Sequence, residues 1–354
     1  MKHMMMWALL GLCTMAAVFM LGAVNKAFIH EAPDRLQVSI SAETTIDEVI
    51  TQLPGSKMLD ANVRVLSIPY GKVDEYRKLA AALPGVIQPR AMPLAKTEIS
   101  FRYYLFSVKK LLIDYSHGDL GLIRTGDYQI QVKSILMKSA LRTFTYFIPG
   151  LIVGVLIAVM LGLLASISRL FGKWLDSAHA ICSGVPDYLL IIFIQLVSIY
   201  ITRMTGRNVI LVAQYGNHIP FMIPFLTIAF IPGVLIYGTL RLAIEREMTQ
   251  DYLTTARAKG LSHRGVIVRH VIRNIMEDLI MVLPKATTLA LASMAVAEAM
   301  CDILGLGGYI VSPRMQNISA TPIICIVLAF LAIVINILYA LLGKLFVVQI
   351  REGR

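Results

Sequence analysis

The sequence predicts an all-α polytopic membrane protein carrying one folded insertion outside the membrane. Three observations predict it. Hydrophobic residues make up 57% of the 354 and charged residues only 16%, against roughly 25% charge in soluble domains. The apolar residues gather in blocks near the ~20 residues needed to cross the hydrocarbon layer as a helix. Between the first and second block lies a polar stretch, residues 25–138, with 15 Lys/Arg and 12 Asp/Glu and length enough to fold as a small domain.

The first block, Met4–Ala23, follows Lys2 and His3. Its apolar core is longer than that of a secretory signal, so it reads as an uncleaved anchor, although Leu21-Gly22-Ala23 is compatible with cleavage. Within 25–138, Ser41–Ile50 and Lys72–Leu83 read as helices, the second stopped by Pro84-Gly85. Asn62–Ile68 reads as a strand, and Glu98–Tyr115 as a helix in which aromatic and aliphatic side chains recur. The insertion is therefore α+β. Five further spans follow at Phe144–Ile167, Ala180–Ile201, Ile219–Leu240, Leu279–Met300 and Ile323–Leu342. Prolines 149, 186, 220, 224, 232 and 284 lie in or beside them, which membrane helices tolerate where neighbours satisfy the freed backbone groups. The expected organisation is a first helix at 1–24, an external domain with lead-in at 25–138, a five-helix core at 139–343 and a tail at 344–354.

Six crossings put both termini on one side. Arg169 and Lys173 lie between spans two and three, seven Lys/Arg from Arg241 to Arg273 between spans four and five, and Lys344, Arg351 and Arg354 after span six. The positive-inside rule makes these segments cytoplasmic and 25–138 external, against the smaller signal of Arg203 and Arg207. The same bias explains the net charge of +11; no basic-aromatic cluster, zinc-finger spacing or helix-turn-helix pattern points to nucleic acid. Cys13, Cys182, Cys301 and Cys325 are dispersed, with no CxxC, so neither a disulfide framework nor a zinc site is expected. No metal is expected at His263 and His270 either, since no third ligand accompanies them.

The segment between spans four and five, 241–278, is the richest in specific chemistry. It reads as a helix up to Gly260, with Ala256 and Ala258 as small residues that permit close approach. Gly260 ends the helix or turns it, and Ser262 caps a second helix running through Val266 to Asn274. A helix–turn–helix pair at the membrane surface makes a protruding element that a partner can push; an ordinary positively charged loop is the plain alternative.

Asp251-Tyr252-Leu253-Thr254-Thr255-Ala256-Arg257-Ala258-Lys259-Gly260-Leu261-Ser262, continued by Arg269-His270 and Arg273-Asn274, resembles the EAA loop of permease subunits in binding-protein-dependent ABC importers, in the oligopeptide/dipeptide/nickel branch. Gly118-Asp119-Leu120-Gly121 is similar to a tetrapeptide of the B-type subunits, and Glu298 with Gly305-Leu306-Gly307 to the family's glutamate followed by Pro-Gly-Leu-Gly. The resemblance covers about residues 100–345. It implies the six-helix fold of a type I ABC importer permease and an ATPase-coupling element formed by Thr255, Ala256, Arg257, Ala258, Lys259, Gly260, Leu261 and Ser262. Ala256, Ala258 and Gly260 would dock in a groove of the ATP-binding subunit, with Arg257 and Lys259 at its rim or against lipid phosphates. The implied partners are a second permease subunit, two ATP-binding subunits or domains, an external substrate-binding protein and membrane lipids. This chain would need no cofactor: it has no phosphate-binding glycine loop, so ATP and Mg belong to the partner ATPase. The sequence departs from the family pattern at Ala32-Pro33-Asp34, at Asp278 where a proline usually enters span five, at Leu304 where a proline usually precedes Gly305, and in lacking the usual Asp-Pro-Arg near the C-terminus.

Near the outer end of span five, Glu298 and Asp302, with Gly305 and Gly307, form a candidate pathway or gate, the two acids being able to attract a cationic group such as a peptide amine. Gln195, Asn336 and Lys285 read as interhelical glue or snorkelling residues. The scarcity of ionisable residues in the spans argues against an ion-coupled transporter. A membrane-anchored enzyme or sensor would need clustered catalytic groups in 25–138, where His30 and His117 are the only histidines. ATP-driven import of oligopeptides or dipeptides is therefore the expectation, with nickel complexes, sugars or another small solute as alternatives.

Overall fold

The computed structural model describes residues 2–41, 44–125, 128–216, 218–258, 262–267, 271–312 and 320–351. Two compact units emerge, one formed by Ala16–Gly121, the other by Met1–Met15 with Leu122–Arg354. Residues 122–138, read from the sequence as part of the external domain and its lead-in to the second span, fall in the second of these units.

Helix α1 (Lys2–Gly22) is followed by a short 3-10 turn and then by strand β1 (Phe28–Ile40). Helix α2 (Ile46–Gln52), strands β2 (Lys57–Asp60) and β3 (Val65–Ser67), helix α3 (Val73–Ala81), strand β4 (Val86–Ile99) and helix α4 (Phe101–Ser116) complete the insertion. The strands form one antiparallel sheet in the order β2-β3-β1-β4. Leu36, Val38 and Leu66 from the sheet meet Val49, Leu53, Tyr76 and Ala80 from α2 and α3 in one core. The long β1–β4 pair is not legible as strands because prolines interrupt it. Pro33 sits where the β1 register shifts between Glu31 and Leu36, and Pro89 and Pro93 lie on the edge strand; these are the positions where a residue without an N–H is tolerated. The helix expected from Ser41 begins only at Ile46, where the Glu48 carboxylate accepts the Thr45 N–H at 3.3 Å as part of a capping box. The expected strand Asn62–Ile68 shortens to β3, and α4 starts at Phe101 because Ser100 caps it by accepting the Tyr103 N–H.

Gly118-Asp119-Leu120-Gly121 terminates α4. Gly118 takes φ +80°, its N–H reaches the Tyr115 carbonyl, and the Asp119 N–H reaches Asp114. This is a left-handed helix stop that glycine adopts without steric cost.

In the second unit a short hairpin, β5 (Leu122–Thr125) and β6 (Tyr128–Gln131), leads into α5 (Val132–Ile167). Helices α6 (Arg169–Cys182), α7 (Asp187–Thr205), α8 (Met222–Met248), α9 (Asp251–Ala258), α10 (His263–Val266), α11 (Ile272–Met300), α12 (Gly308–Val311) and α13 (Thr321–Arg351) follow. Among the described residues α5, α7, α8, α11 and α13 are long and apolar enough to cross a membrane. The last five expected spans lie on these helices with two corrections, whereas the first falls on α1, whose described apolar stretch Leu9–Gly22 is shorter. α5 and α11 begin at Val132 and Ile272, well before their apolar blocks, and the block expected from Ala180 is divided between the end of α6 and α7. α6 is tied to α8 by Asp176, which accepts from Tyr237 Oη at 2.7 Å and from Arg241 Nε and Nη2, both at 3.0 Å. The Arg241 hydrogen bonds hold the Asp176 carboxyl below the usual carboxylate range, so the clamp stays charged at neutral pH.

The packing of α5 on α8 rests on small residues. Gly150, Gly154, Ala158 and Gly162 are buried at four-residue spacing on α5. A Cβ at Gly150 would lie 3.1 Å from the Phe225 carbonyl, and one at Gly154 would collide with the Ala229 backbone. Apolar side chains gain little by leaving lipid for a neighbouring helix, so close backbone approach and dispersion supply the attraction. α11 then packs on α8 through Ile275, Leu279, Val282, Leu283 and Ala286 against Ile236, Leu240 and Ile244.

Gly154→Ala should destabilise the detergent-solubilised protein by about 1–3 kcal/mol, the usual range for overpacking. Gly162→Ala, whose Cβ would sit at an ordinary 3.7 Å from Leu240, should be nearly neutral. Thermal melts followed by size-exclusion chromatography read the difference, and equal melting points for the two variants would contradict the close-contact account.

Candidate functional site

Two polar centres stand at opposite ends of α11. At its N-terminal end, α8 stops at Met248, turns through Thr249 and Gln250, and restarts as α9. The single helix expected across 241–260 is thus broken, and α9 folds back against the ends of α8 and α11. Leu253, Val266, Val271 and Ile275 are buried in the same core as Leu240, Ala243 and Ile244, so the loop is anchored on both sides.

Polar contacts lock this elbow. Glu247 Oε1 accepts from Asn274 Nδ2 at 2.6 Å and from the Tyr252 hydroxyl, and Asn274 Nδ2 also reaches Tyr252 Oη at 3.0 Å. Partial burial and the bond to Glu247 push the Tyr252 phenol up to about 12, so it remains a donor throughout the physiological range. Arg246 pairs with Asp278 at 2.7 Å. That contact gives the unusual Asp278 a partner, although so exposed an arginine adds at most ~1 kcal/mol.

Of the expected coupling residues, Thr255, Ala256, Arg257 and Ala258 lie together on α9. Ser262 caps α10 as expected, its Oγ accepting the Gly265 N–H at 3.2 Å. Lys259, Gly260 and Leu261, like Arg269 and His270, lie outside the described residues.

At the other end of α11, Glu298 is fully buried. Its Oε1 accepts from Thr143 Oγ1 at 2.7 Å and from the Tyr146 hydroxyl, both on α5, and its Oε2 accepts the Gly308 N–H at 2.8 Å. Thr143 Oγ1 in turn accepts the Leu306 N–H at 2.9 Å, and Arg142 donates to the Leu304 carbonyl at 3.1 Å. A buried carboxyl is tolerable only when its lone pairs are met, and here three donors meet it. Gly305 and Gly307 belong to this latch: a Cβ at Gly305 would strike the Glu298 carboxyl, and one at Gly307 would strike the Ala295 backbone. The structure thus brings Glu298, Gly305 and Gly307 together with Thr143 and Tyr146. The last two, three residues apart on one face of an apolar helix, are polar positions that the sequence reading passed over.

Asp302 stands apart from the latch. Its φ of 51° and the bonds Asp302 N–H to Ala299 O and Ile303 N–H to Glu298 O make it the left-handed residue that ends α11, a role usually given to glycine or asparagine. Leu304, the other departure at this end, donates its N–H to Gln214 Oε1 at 3.0 Å, a bond that proline cannot make. Gln195 is interhelical glue as expected, donating to the Met300 carbonyl at 3.2 Å.

Residues 142–352 match the family described as binding-protein-dependent transport system inner membrane component. The chain is 25% identical over 249 residues to the dipeptide transport system permease protein DppB of Bacillus subtilis, covering 68% of this chain and 77% of that one. It is also 25% identical over 224 residues to the oligopeptide transport system permease protein AmiC of Streptococcus pneumoniae, covering 61% of this chain but only 42% of that longer protein. A solved inward-facing structure of the MetNI methionine ABC transporter superposes with a TM-score of 0.50 at 13% identity, over 61% of this chain and 97% of that one. That likeness establishes the permease fold of the helical unit.

Glu298→Gln should cost about 1–3 kcal/mol of stability, because the amide nitrogen of a glutamine that keeps the α5 hydroxyl contacts faces the fixed Gly308 N–H. Glu298→Ala, which strands all three donors, should cost more. Unchanged melting with lost transport would instead make the carboxyl a pathway contact. Asp302→Gly should keep or raise stability by up to about 1 kcal/mol, whereas Asp302→Val should lower it, since a β-branched residue resists the left-handed region. Equal melting points for the Gly and Val variants would sink the helix-stop assignment.

Proposed function

The chain belongs to the family of binding-protein-dependent transport system inner membrane components, and from that premise we propose that it forms half of the translocation pathway of an ATP-driven importer for oligopeptides or dipeptides. The names of the relatives support the substrate class. The assembly comprises a second, homologous permease subunit, two ATP-binding subunits or domains and an external substrate-binding protein. ATP and Mg are bound and hydrolysis occurs in the partner subunits, in keeping with the lack of a phosphate-binding glycine loop in this sequence. Both termini and the 249–271 elbow face the cytoplasm and residues 25–138 face outward, an orientation supported by the distribution of Lys and Arg in the short loops.

The observation that carries this reading is the locked elbow. An element pushed by an ATPase transmits displacement only if it cannot swing freely on its own support. Leu253 and Val266 seat the elbow in the core shared by α8 and α11, and the Glu247–Tyr252–Asn274 contacts fix its angle. Movement of α9 therefore moves α8 and α11 together, and α11 carries the displacement along 29 residues to Met300. Thr255, Ala256, Arg257, Ala258, Lys259, Gly260, Leu261 and Ser262 form the surface that docks on the ATPase. At the far end of α11, the Glu298 latch with Gly305 and Gly307, and Asp302 beyond it, controls the outer mouth of the pathway.

Purification of the tagged chain in mild detergent should recover an ATP-hydrolysing subunit and a second permease. Recovery of the chain alone, from a preparation that preserves other membrane complexes, would contradict the assembly. In the reconstituted complex, Asn274→Ala removes the donor shared by Glu247 and Tyr252, a loss of about 1–3 kcal/mol of local order. ATP hydrolysis should persist while solute imported per ATP falls. An unchanged ratio would mean that the elbow contacts do not transmit the stroke.

A further inference from the structure

α11 is packed along most of its circumference, with 44% of its most apolar window buried, against 11% for α7 and 6% for α13. Its open side is a narrow stripe at helical spacing: Arg273, Glu277, Met281, Lys285, Thr288, Leu289 and Ala292 are exposed. The character of this stripe differs from that of the other open faces. α7 presents Phe193, Leu196, Ile199 and Tyr200 outward, and α13 presents Phe330, Ile337, Leu338 and Leu341, large apolar side chains suited to lipid. Beyond Met281, the α11 stripe carries a lysine, a threonine and an alanine, with Leu289 as its one large apolar side chain, just over a third exposed.

Lys285 is the feature that decides what this stripe faces. It follows Pro284 near the middle of α11, between the charged segment that ends at Asp278 and the buried Glu298. A lysine directed into hydrocarbon costs roughly 2.5–3.5 kcal/mol near a helix centre, a penalty that disappears when the stripe faces water. Among the described residues Lys285 has no ion pair, and Glu298, the other ionisable group on the apolar part of α11, is closed off by Thr143, Tyr146 and Gly308. No described residue therefore supplies it with a counter-charge, and an anion from outside the chain can take that place.

We propose that the open stripe of α11 lines the aqueous pathway and that Lys285, with Thr288 one turn beyond it, is an anion subsite that receives the carboxylate of the solute in transit. Thr288 donates to the Pro284 carbonyl at 3.0 Å, which leaves its oxygen as an acceptor and Lys285 as the cationic donor of the pair. The assignment rests on the permease reading and adds a substrate requirement to it: a solute bearing a free carboxylate, as a peptide does at its C-terminus.

The test uses the reconstituted full complex with Cys13, Cys182, Cys301 and Cys325 replaced by serine or alanine. Lys285→Cys should be modified by membrane-impermeant methanethiosulfonates, because thiolate reactivity requires water, whereas Leu338→Cys on the lipid-type face of α13 should not. At Thr288→Cys, the rate ratio of an anionic to a cationic reagent should fall several-fold when Lys285 is changed to glutamine, and Lys285→Arg should retain the ratio. An unreactive Lys285→Cys would place the stripe against lipid or protein and overturn the proposal. A ratio unaffected by Lys285→Gln would overturn the anion subsite, as expected if a partner carboxylate or headgroup phosphates already neutralise the lysine.

These readouts do not require transport, so they separate the two ideas. Cysteine variants that react as expected, in an assembly whose wild-type form imports no peptide, would sink the peptide reading and leave the anion subsite standing. If it does import, uptake of a peptide with a free C-terminus relative to its C-terminal amide should drop in Lys285→Gln, and an unchanged preference would remove the carboxylate assignment.

Discussion

The close approach of α5 and α8 is the constraint on which the helical unit depends. Two apolar helices in lipid gain little by burying leucines against each other, because the lipid is as apolar as the leucines. What holds them is backbone proximity, and only residues without bulk permit it. Gly150 and Gly154 bring α5 against the backbone of α8 around Phe225 and Ala229. With α8 positioned in this way, its apolar flank receives α11, its C-terminal half receives α6 through Asp176 and Arg241, and its last turn supplies Glu247 to the elbow.

A second constraint acts at the ends of the helices. Where α11 begins and where it ends, a glutamate gathers donors from separate elements: Glu247 from α9 and α11, Glu298 from α5 and the segment after α11. Among the described residues neither pairs with a cation. Glu298 satisfies polar groups in a buried site, where an unmet donor is costly, whereas the Glu247 contacts are partly open to solvent and fix a geometry. The same physics separates Glu298 from Lys285. The glutamate is enclosed and its acceptors are used, whereas the lysine is open and without a counter-charge among the described residues. Burial thus directs attention away from the acid that the sequence singles out and toward a cation that it reads as a snorkelling residue.

The departures from the family pattern acquire physical reasons. Asp278 pairs with Arg246, Leu304 uses the N–H that a proline would lack, and the Pro33 and Asp34 carbonyls accept from Gly71 and Ile68 inside the insertion. Each replacement serves a contact of this chain, so divergence at these positions is compatible with an intact permease core. The weak likeness over the first hundred residues corresponds to an insertion with its own sheet and core.

Much was legible from residue order. Blocks of apolar residues must be helices in a bilayer, since no other local structure satisfies the backbone there, and charge asymmetry, the alanines and arginine of α9 and the Ser262 cap are likewise local signals. The β1–β4 pair was not legible, because its prolines are allowed only by a register shift in one strand and the edge position of the other. Nor were the partners of Glu298, which come from residues 143, 146 and 308. A sequence shows that a carboxyl is present in an apolar region, but whether it meets solute, lipid or its own chain depends on which helices face each other. By itself the sequence determined that long apolar helices build the second unit and that a polar, charged segment separates α8 from α11, both consequences of short-range hydrophobicity and charge. Only the tertiary structure decided that Glu298 is enclosed and Lys285 open, because burial is a property of packed neighbours and not of the residue.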